Sequence, residues 1–472
     1  MLIIFVTILF GFIIILYVLS PLISPRTLKL NGLHVLITGG SSGIGKYMAI
    51  EAIKQGANVT ILSRNQNKLY QAKTDVERYI LDPNKQKIAC VAIDVSKDYN
   101  SLKNAISRAE ILMQRYVDVL VNCAGYASLD LFDHQSITEF KNLMDVNYLG
   151  SVYATRCVID NMKKGYTTCH NKSLSPSTIM TMKNDEAENG NTISDDTPGD
   201  RNLRNNSEKA RQTGANEDYT LNEHPDDASA FIVLKTPPTS IDNDSLSSHH
   251  RNGITMEKPI ANQHLGTPTK QIFPNLSTNL TNKDITSHNY STNQIISNGT
   301  HFNDGRGAGY RIMFVSSQAG QTGIYGCSAY CASKFALRGL AESLQMEVKP
   351  YNIRVTLAFP PDTDTPGYAQ ENLTKPTVTK DICQTSGLFS PQVVAKQLIE
   401  DLKKGKFNSY IGIDGFLLNS LTCGMSPITT ITEAIEQVCT MSLFRIVGLF
   451  YIDSFDRMVR KHVLSGKSNV NN

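Results

Sequence analysis

Two stretches in which short apolar runs alternate with helical patterns limit the possible folds of this chain most strongly. The first stretch has apolar runs at residues 34–38, 58–63, 88–94 and 117–122. Each run is followed by a helical pattern, and these patterns cover residues 44–55, 66–81, 101–115 and 136–162. Because the runs are apolar throughout rather than at alternate positions, helices must cover both faces of the sheet that they form. We therefore predict an α/β fold built on a doubly wound parallel sheet.

A long polar block separates the two stretches. Residues 165–309 are rich in Asn, Ser, Thr and Asp, and only residues 231–234 form a short apolar run. The block explains why 41% of the whole chain is hydrophobic, against roughly 45–50% in a typical globular protein. Its few apolar side chains cannot offset roughly 1–2 kcal/mol of backbone ordering per residue. We therefore predict that the block is disordered.

The alternation resumes directly after the polar block. Residues 311–316 and 354–359 are typical of buried strands, and residues 329–348 between them are typical of a helix. We therefore predict a single domain whose two halves, residues 26–164 and 310–412, are separated by an insertion in a helix-to-strand loop. Such a loop can lengthen at small cost because its closure entropy grows only with the logarithm of its length.

The N-terminal residues predict a membrane anchor. Residues 2–19 carry no charged side chain, and with residues 20–23 they reach the roughly 20 helical residues that cross a bilayer. The first basic residues, Arg26 and Lys29, follow this segment. This order predicts an anchor over residues 1–25, with the remaining chain in the cytosol. A cleaved signal peptide is the alternative, although the segment lacks a basic start and a clear cleavage site.

The C-terminal extension, residues 413–472, has a different character from the domain. Residues 416–425 and 438–452 are strongly apolar, although Arg445 interrupts the second run. A basic cluster follows directly and comprises Arg457, Arg460, Lys461 and His462. Apolar segments beside basic residues are typical of elements that lie at a membrane surface among lipid headgroups. The equally open alternative is an ordinary amphipathic helix that packs on the sheet.

A glycine-rich turn follows the first predicted strand and opens the first predicted helix. Its sequence, from Thr38 to Gly45, is TGGSSGIG. The unpaired N–H groups and partial positive charge of a helix N-terminus suit a pyrophosphate, and glycines allow the tight turn and the close approach of the ligand. In this context the turn predicts a Rossmann-type dinucleotide-binding site rather than a merely flexible loop. The residues expected to contact the cofactor here are Gly39, Ser41, Ser42, Gly43, Ile44 and Gly45.

The end of the second predicted strand favours NADPH over NADH. An NAD site places an acidic residue here to bind the ribose 2′-hydroxyl, but this chain has Ser63, Arg64 and Asn65. Arg64 can bind a 2′-phosphate through two hydrogen bonds, and Lys68 can add a second positive charge. The alternative is that both are solvated surface cations. We predict that Arg64 and Lys68 bind the 2′-phosphate.

Ser317, Tyr330 and Lys334 form the predicted catalytic group. Tyr330 and Lys334 are four residues apart on one helical face, and Ser317 lies at the end of the preceding strand. An ammonium group near a phenol, together with the positive charge of an oxidised nicotinamide, lowers the phenol's pKa from its ordinary value of about 10. Tyr330 can then give a proton to a carbonyl oxygen, while the Ser317 hydroxyl donates a hydrogen bond to the same oxygen. A Tyr-x-x-x-Lys pair alone is common on helix surfaces, so the prediction also rests on the serine and the glycine-rich turn.

These motifs resemble those of the short-chain dehydrogenase/reductase superfamily. The resemblance includes Asp94 after the third strand, Asn122 in an Asn-Cys-Ala-Gly sequence after the fourth, and Asn147 in the next helix. It implies that Asp94 lies near the adenine ring, that Asn122 shapes the cofactor site, and that Asn147 holds a water in a proton relay. It further implies that Lys334 binds the nicotinamide ribose and that Thr365 contacts the cofactor.

Several longer stretches resemble more narrowly the 3-ketodihydrosphingosine reductases, an NADPH-dependent family of the endoplasmic reticulum. They include HVLITGGSSGIGKYMAIEAIKQGANVT, LRGLAESLQMEVKPYNIRVT and FPPDTDTPGYAQEN. The last of these has Pro360-Pro361 where most of the superfamily has Pro-Gly, and the narrower family shares this feature. The resemblance covers about residues 28–460 except the insertion, which that family lacks.

The narrower resemblance implies reduction of the ketone of 3-ketodihydrosphingosine to dihydrosphingosine at the endoplasmic reticulum membrane, with the catalytic domain facing the cytosol. Such a substrate has a long alkyl chain and an amine beside the ketone. Asp362 or Asp364 could bind the amine, or could merely cap their loop. We expect residues 416–425 and 438–452 to form the entrance for the alkyl chain. Two alternatives stay open: a membrane-bound reductase of retinoids or steroids, and an inactive scaffold that recruits partners through the insertion.

Charge and cysteine content exclude other classes of protein. A net charge of +3 and a pI of about 8.2 are too low for a nucleic-acid-binding domain, which usually has a pI above roughly 9. The nine cysteines are scattered, and only Cys327 and Cys331 are four apart, so neither a disulfide scaffold nor a metal site is expected. The expected partners are therefore the lipid ketone and membrane lipids. A homodimer is predicted only by analogy with the superfamily.

Overall fold

The computed structural model describes residues 25–173, 220–222, 229–233, 309–384 and 387–464, with five isolated positions between residues 7 and 18. The N-terminal anchor predicted at residues 1–25 lies almost wholly outside the described residues, so it stays a prediction. Most of the insertion predicted at residues 165–309 also lies outside them.

The first half of the domain has the alternation that the sequence predicts. Its largely buried strands are β1 (His34–Thr38), β2 (Asn58–Ser63), β3 (Ile88–Ala92) and β4 (Val119–Asn122). The intervening helices are α1 (Gly43–Ile53), α2 (Gln66–Glu77) and α3 (Tyr99–Met113). Asn65 and Asp98 begin α2 and α3, because each side chain accepts a hydrogen bond from a backbone N–H group of the first turn.

The long helical pattern after β4 folds as a helix of mixed geometry. α4 (Ile137–Met144) leads into a π-helical turn at Asp145–Leu149, and α5 (Gly150–Ser173) continues from it. A π-helical turn within an α-helix frequently marks a functional site. α5 also continues past the predicted helix end at residue 162, into the block predicted to be disordered.

Two short strands inside the insertion also differ from that prediction of disorder. β5 (Thr220–Asn222) pairs antiparallel with β6 (Ser229–Val233), and β6 pairs parallel with β3. β6 overlaps the apolar run at residues 231–234, which the sequence singles out as an exception within the polar block. Apolar and β-branched residues favour addition of this segment to a sheet, in contrast to its polar surroundings.

The second half of the domain begins with β7 (Tyr310–Val315), which follows the insertion. α6 (Ser328–Val348) carries the Tyr-x-x-x-Lys pair and leads to β8 (Ile353–Phe359). The remaining elements of the domain are α7 (Pro366–Thr374), α8 (Thr377–Cys383), α9 (Pro391–Lys404) and β9 (Asn408–Tyr410). Short 3₁₀ turns at Gln318–Gly320 and Lys349–Tyr351 follow β7 and α6.

The strands of the described residues form one nine-stranded sheet in the order β5-β6-β3-β2-β1-β4-β7-β8-β9. Every neighbouring pair except β5 and β6 is parallel. The chain runs outward from β1 to β3 on one side, where β6 and β5 extend the sheet, and from β4 through β7 and β8 to β9 on the other, so the strand order reverses between β1 and β4. Parallel sheets bind ligands at the carboxyl ends of the strands beside such a reversal. The predicted Rossmann-type parallel sheet is confirmed.

Two apolar layers cover the two faces of the sheet, as the continuously apolar strands predict. One layer combines Val35 and Ile37 of β1 with residues of α1, α2 and α9. The other combines Leu36 of β1 with residues of α3, α5 and α6. Because successive side chains of a strand point to opposite faces, β1 contributes to both layers.

The C-terminal extension folds as two helices, α10 (Gly412–Thr422) and α11 (Ile431–Leu464). They contact each other through Phe416 and Phe444, whose ring centroids are 5.5 Å apart. Gly448 lets them approach closely, because a Cβ atom there would lie 2.9 Å from the Leu421 side chain. The exposed large apolar side chains of α11 include Val438, Met441, Leu443, Ile446, Leu449, Phe450, Tyr451 and Ile452.

α11 therefore does not pack on the sheet, which was the alternative that the sequence allowed. Its segment Ile431–His462 is long and apolar enough to cross a bilayer, and only 6% of its most apolar 18-residue window is buried. Within the described ranges no other helix has this property. A continuous exposed apolar surface of this kind indicates association with a membrane.

Candidate active site

The glycine-rich turn joins β1 to α1 at the carboxyl edge of the sheet. Gly39 and Gly43 have positive φ angles of 69° and 53°, which other residues rarely adopt. A Cβ atom on Gly39 would lie 2.7 Å from the Ala124 Cα atom, and one on Gly45 would lie 2.6 Å from the Gly39 carbonyl oxygen. Glycine is thus required at positions 39 and 45 because the turn packs tightly against its own backbone and the segment after β4.

The N-terminus of α1 is open toward this turn. Ser42 is the N-cap residue, and its side chain makes no capping hydrogen bond to any described residue. The first N–H groups of α1 are therefore able to bind an anion. Thr365 lies against the other side of the turn. A Cβ atom added to Gly43 would be only 3.1 Å from its Cγ2 atom. Its Oγ1 atom accepts a hydrogen bond from the Tyr368 N–H group, which fixes the start of α7.

Cationic side chains border the turn at the end of β2. The Arg64 side chain is 64% exposed, and its Nη1 atom lies 3.9 Å from Oδ2 of Asp94. Lys68 is exposed in the first turn of α2. Asp94 is oriented by Ser96, whose N–H and hydroxyl groups donate hydrogen bonds of 3.0 and 2.7 Å to Oδ1. An exposed ion pair at 3.9 Å is weak, so Arg64 is free to bind an anionic ligand.

A cleft of about 440 Å³ brings most of the predicted site residues together. The predicted residues in its lining are Gly39, Ser41, Ser42, Gly43, Ile44, Gly45, Arg64, Lys68, Asp94, Ser317, Tyr330, Lys334 and Thr365. A glycine turn that accepts close approach, an open helix N-terminus and exposed cations fit a nicotinamide dinucleotide. Within the described residues, no group of three or more His, Cys, Asp or Glu side chains is placed to hold a metal ion.

Asn122 and Asn147 lie outside the lining of this cleft. Asn122 is buried at the end of β4, where its Nδ2 atom donates a 3.1 Å hydrogen bond to the Thr155 hydroxyl. The backbone directly after it is held by Thr38, whose hydroxyl oxygen accepts hydrogen bonds from the N–H groups of Cys123 and Ala124. Asn122 therefore does not line the cleft, and its role in shaping the cofactor site stays a prediction.

Asn147 lies in the π-helical turn and is also buried. Its Oδ1 atom accepts a hydrogen bond from the Tyr126 N–H group, and its Nδ2 atom donates to the Tyr126 carbonyl and the Ser333 hydroxyl. A Cβ atom on Gly125 would lie 2.8 Å from Asn147 Oδ1 and 3.3 Å from Lys334 Nζ. Asn147 thus fixes the loop beside Lys334, and its role in a proton relay stays a prediction.

Ser317, Tyr330 and Lys334 all line the cleft. Ser317 follows β7, and its hydroxyl accepts a hydrogen bond from the Ala319 N–H group. Lys334 is buried, donates a 3.0 Å hydrogen bond to the Val315 carbonyl, and has its Nζ atom 5.8 Å from the centre of the Tyr330 ring. Burial lowers the pKa of Lys334 to about 8.

In the protein alone the pKa of Tyr330 is raised rather than lowered, and the lowering predicted for the complex with oxidised cofactor stays a prediction. Burial raises the pKa of Tyr330, the carboxylate of Glu371 raises it further, and a hydrogen bond with Ser317 opposes these effects only in part. The Lys334 ammonium group donates its hydrogen bond to the Val315 carbonyl, and the pKa of Tyr330 stays raised beside it. Tyr330 is therefore protonated at neutral pH, which is the state that a proton donor requires.

A second cavity, of about 370 Å³, begins at Ser317 and Tyr330 and ends at α10 and α11. The residues that line both this cavity and the cofactor cleft are Ser317, Tyr330, Pro360, Pro361, Asp362 and Glu371. Farther from the cleft the lining is largely apolar and includes Leu417, Leu421 and Ile452. The two cavities thus meet at the catalytic group.

Acidic residues lie where the two cavities meet. Asp362 lines both of them, whereas the exposed Asp364 lines neither. Glu371 also lines both cavities and forms an ion pair of 2.7 Å with Lys375. Glu371 and Lys375 were not predicted from the sequence, although their spacing of four residues, in and just after α7, is typical of an ion pair on one helical face.

Comparison with known proteins identifies the family. The family model described as short chain dehydrogenase matches residues 33–168 and 291–376. The chain is 38% identical to the 3-ketodihydrosphingosine reductase of Mus musculus over 451 residues, which cover 96% of this chain and 92% of that protein. With the same coverage it is 38% identical to the 3-dehydrosphinganine reductase of Danio rerio and 37% identical to the 3-ketodihydrosphingosine reductase of Bos taurus.

This chain belongs to the 3-ketodihydrosphingosine reductase family. The protein is accordingly a short-chain oxidoreductase that uses a nicotinamide cofactor, as the motifs predicted. The family match leaves out residues 169–290, which lie within the predicted insertion. The two matched segments contain β1 to β4 and β7 to β8, and the unmatched residues 169–290 lie between them.

Proposed function

We propose that the protein reduces the ketone of 3-ketodihydrosphingosine to dihydrosphingosine, with NADPH as the cofactor. One observation carries this proposal: the cavity that starts at Ser317 and Tyr330 has an apolar wall and ends at the exposed apolar helix α11. A lipid ketone can enter such a cavity with its alkyl chain toward the membrane and its carbonyl group toward the phenol. The names of the relatives support the same substrate.

The cofactor is NADPH in this proposal because the end of β2 carries cations. The open N-terminus of α1 binds the pyrophosphate, and Arg64 and Lys68 bind the 2′-phosphate. An acidic residue at positions 63–65 would repel that phosphate, and none is present. When bound, NADPH supplies the hydride that reduces the carbonyl carbon.

Tyr330 supplies the proton in the proposed reaction. Its hydroxyl group is protonated at neutral pH, and the carbonyl oxygen of the ketone accepts the proton as negative charge develops there. Ser317 donates a hydrogen bond to the same oxygen. With a pKa of about 8, Lys334 is mostly protonated at neutral pH, so its positive charge favours loss of the proton from Tyr330.

The location of the substrate accounts for the C-terminal helices. A long-chain ketone is held in a bilayer by about 0.8 kcal/mol for each buried CH₂ group. We place α11 in or on the endoplasmic reticulum membrane, with the domain on the cytosolic side and α10 beside the entrance. The substrate then passes from the lipid to Tyr330 without exposing its chain to water.

The test is NADPH oxidation by membranes that contain the full chain, with ketosphinganine, retinal and a ketosteroid compared at equal concentration. The proposal predicts oxidation with ketosphinganine and little with the other two. A membrane preparation of the Tyr330→Phe variant gives the background rate. Preferred reduction of retinal or the ketosteroid would overturn the proposed substrate.

A further inference from the structure

The charges around Lys375 give the junction of the two cavities a negative character. The Lys375 side chain is only 1% exposed, and its Nζ atom lies 2.7 Å from Oε1 of Glu371 and 3.7 Å from Oδ2 of Asp362. One ammonium group thus faces two carboxylates, so this group of three residues carries a net charge of about −1 when all are ionised. A cation that enters the junction would balance that charge.

Glu371 is the carboxylate best placed to meet such a cation beside the reacting carbonyl. It lines both cavities, and its side chain is 17% exposed, so it is accessible to a ligand but mostly removed from bulk water. Its charge also raises the pKa of Tyr330, and its side chain is less exposed than that of Asp362, which is 29% exposed. Asp414 lines only the second cavity, on α10.

Lys375 also keeps Glu371 able to carry charge. Burial raises the pKa of Glu371, and the ion pair with Lys375 opposes this effect. Because Lys375 is shared with Asp362, it does not neutralise both acids. Glu371 can therefore form a second charge-assisted contact from the side that faces the cavities.

We propose that Glu371 binds the ammonium group of the substrate and so selects amino ketones over uncharged ketones of equal length. This inference rests on the proposed function, in which the amine is bonded to the carbon next to the carbonyl. A carbonyl oxygen at Tyr330 then places the ammonium group at the junction, on the side where Glu371 lies. Uncharged ketones leave the partly buried carboxylate without this partner, which disfavours their binding.

The experiment compares two ketones with the wild-type chain and its Glu371→Gln variant in membranes. One is ketosphinganine, and the other is the same long-chain ketone with hydrogen in place of the amine. We expect kcat/KM of the variant to fall about tenfold or more for ketosphinganine, mainly through KM, and to change much less for the amine-free ketone. Equal loss for both ketones, or no loss for ketosphinganine, would overturn the role of Glu371.

Two further measurements complete the test. The matched control Asp364→Asn removes a carboxylate from an exposed position that lines neither cavity, and it should leave both rates unchanged. Independently of any variant, a long-chain alkylamine should inhibit the wild-type enzyme at about tenfold lower concentration than the alcohol of equal length, in competition with the ketone. Equal inhibition by the two would contradict the inference. If the wild-type chain reduces neither ketone, the proposed function itself is wrong.

Discussion

Arg64 allows the cofactor preference to be tested quantitatively. Its guanidinium is mostly exposed and its nearest acid, Asp94, is 3.9 Å away, so the Arg64→Gln change breaks only a weak ion pair in the protein. The main loss is then the contact with the cofactor's 2′-phosphate. A hydrogen bond to a charged group contributes about 1.5–3 kcal/mol, and exposure reduces this to about 1–2 kcal/mol.

A loss of that size corresponds to a decrease of about 5–30-fold in kcat/KM for NADPH. NADH has no 2′-phosphate, so its kcat/KM should not fall. The assay is initial-rate kinetics with both coenzymes at fixed ketone concentration, repeated at higher salt, where the difference should shrink because exposed charges are screened.

The matched control is Arg78→Gln. Arg78 is 70% exposed, forms a similar ion pair with Asp75, and does not line the cofactor cleft. It should leave both coenzymes unaffected. An Arg64→Gln enzyme that loses NADPH and NADH activity equally, or that keeps its full preference for NADPH, would refute the assignment of Arg64.

Two other predictions concern Lys334 and the C-terminal helices. Since the pKa of Lys334 is lowered to about 8, its positive charge is present below this pH and lost above it; kcat/KM for ketone reduction should fall as the pH rises through about 8. A pH profile that is flat from pH 6.5 to about 9.5 would contradict this role of Lys334. Deletion of residues 416–472 removes the part of the second cavity that α10 and α11 line, so it should abolish turnover of the membrane-bound ketone while a soluble short ketone is still reduced. Equal loss with both ketones would contradict the entrance.

The sheet was predictable because its strands are buried on both faces. Continuous apolar runs at residues 34–38 and 58–63 coincide with β1 and β2, since no exposed face interrupts the pattern. The runs at residues 88–94 and 117–122 are each two residues longer than β3 and β4, because apolar residues also pack in the adjoining loops.

The cofactor turn and the catalytic group were predictable because their function depends on local spacing. A spacing of four residues within α6 places Tyr330 and Lys334 on one face of the helix, independently of the rest of the fold. The pKa of Tyr330 was not predictable in this way. It depends on burial and on Glu371, which lies on a different helix and whose position the spacing along α6 does not determine.

The C-terminal helices show a similar limit. Two apolar runs were visible at residues 416–425 and 438–452, but the sequence did not decide between a membrane element and a core helix. α11 begins before residue 438 and ends after residue 452, the bounds of the second apolar run. The charged residues that flank this run can belong to the same helix because the helix is exposed. Only the packing shows that its apolar side chains remain uncovered in the protein.

Proton transfer from Tyr330 is tested most directly by ketosphinganine reduction in membranes that contain the Tyr330→Phe variant. The matched control is Tyr325→Phe, since Tyr325 is a nearby tyrosine that lines neither cavity. The account predicts that Tyr330→Phe lowers kcat by about 100-fold or more while NADPH still binds, and that Tyr325→Phe keeps its activity. A Tyr330→Phe enzyme that reduces the ketone at the wild-type rate would contradict the account.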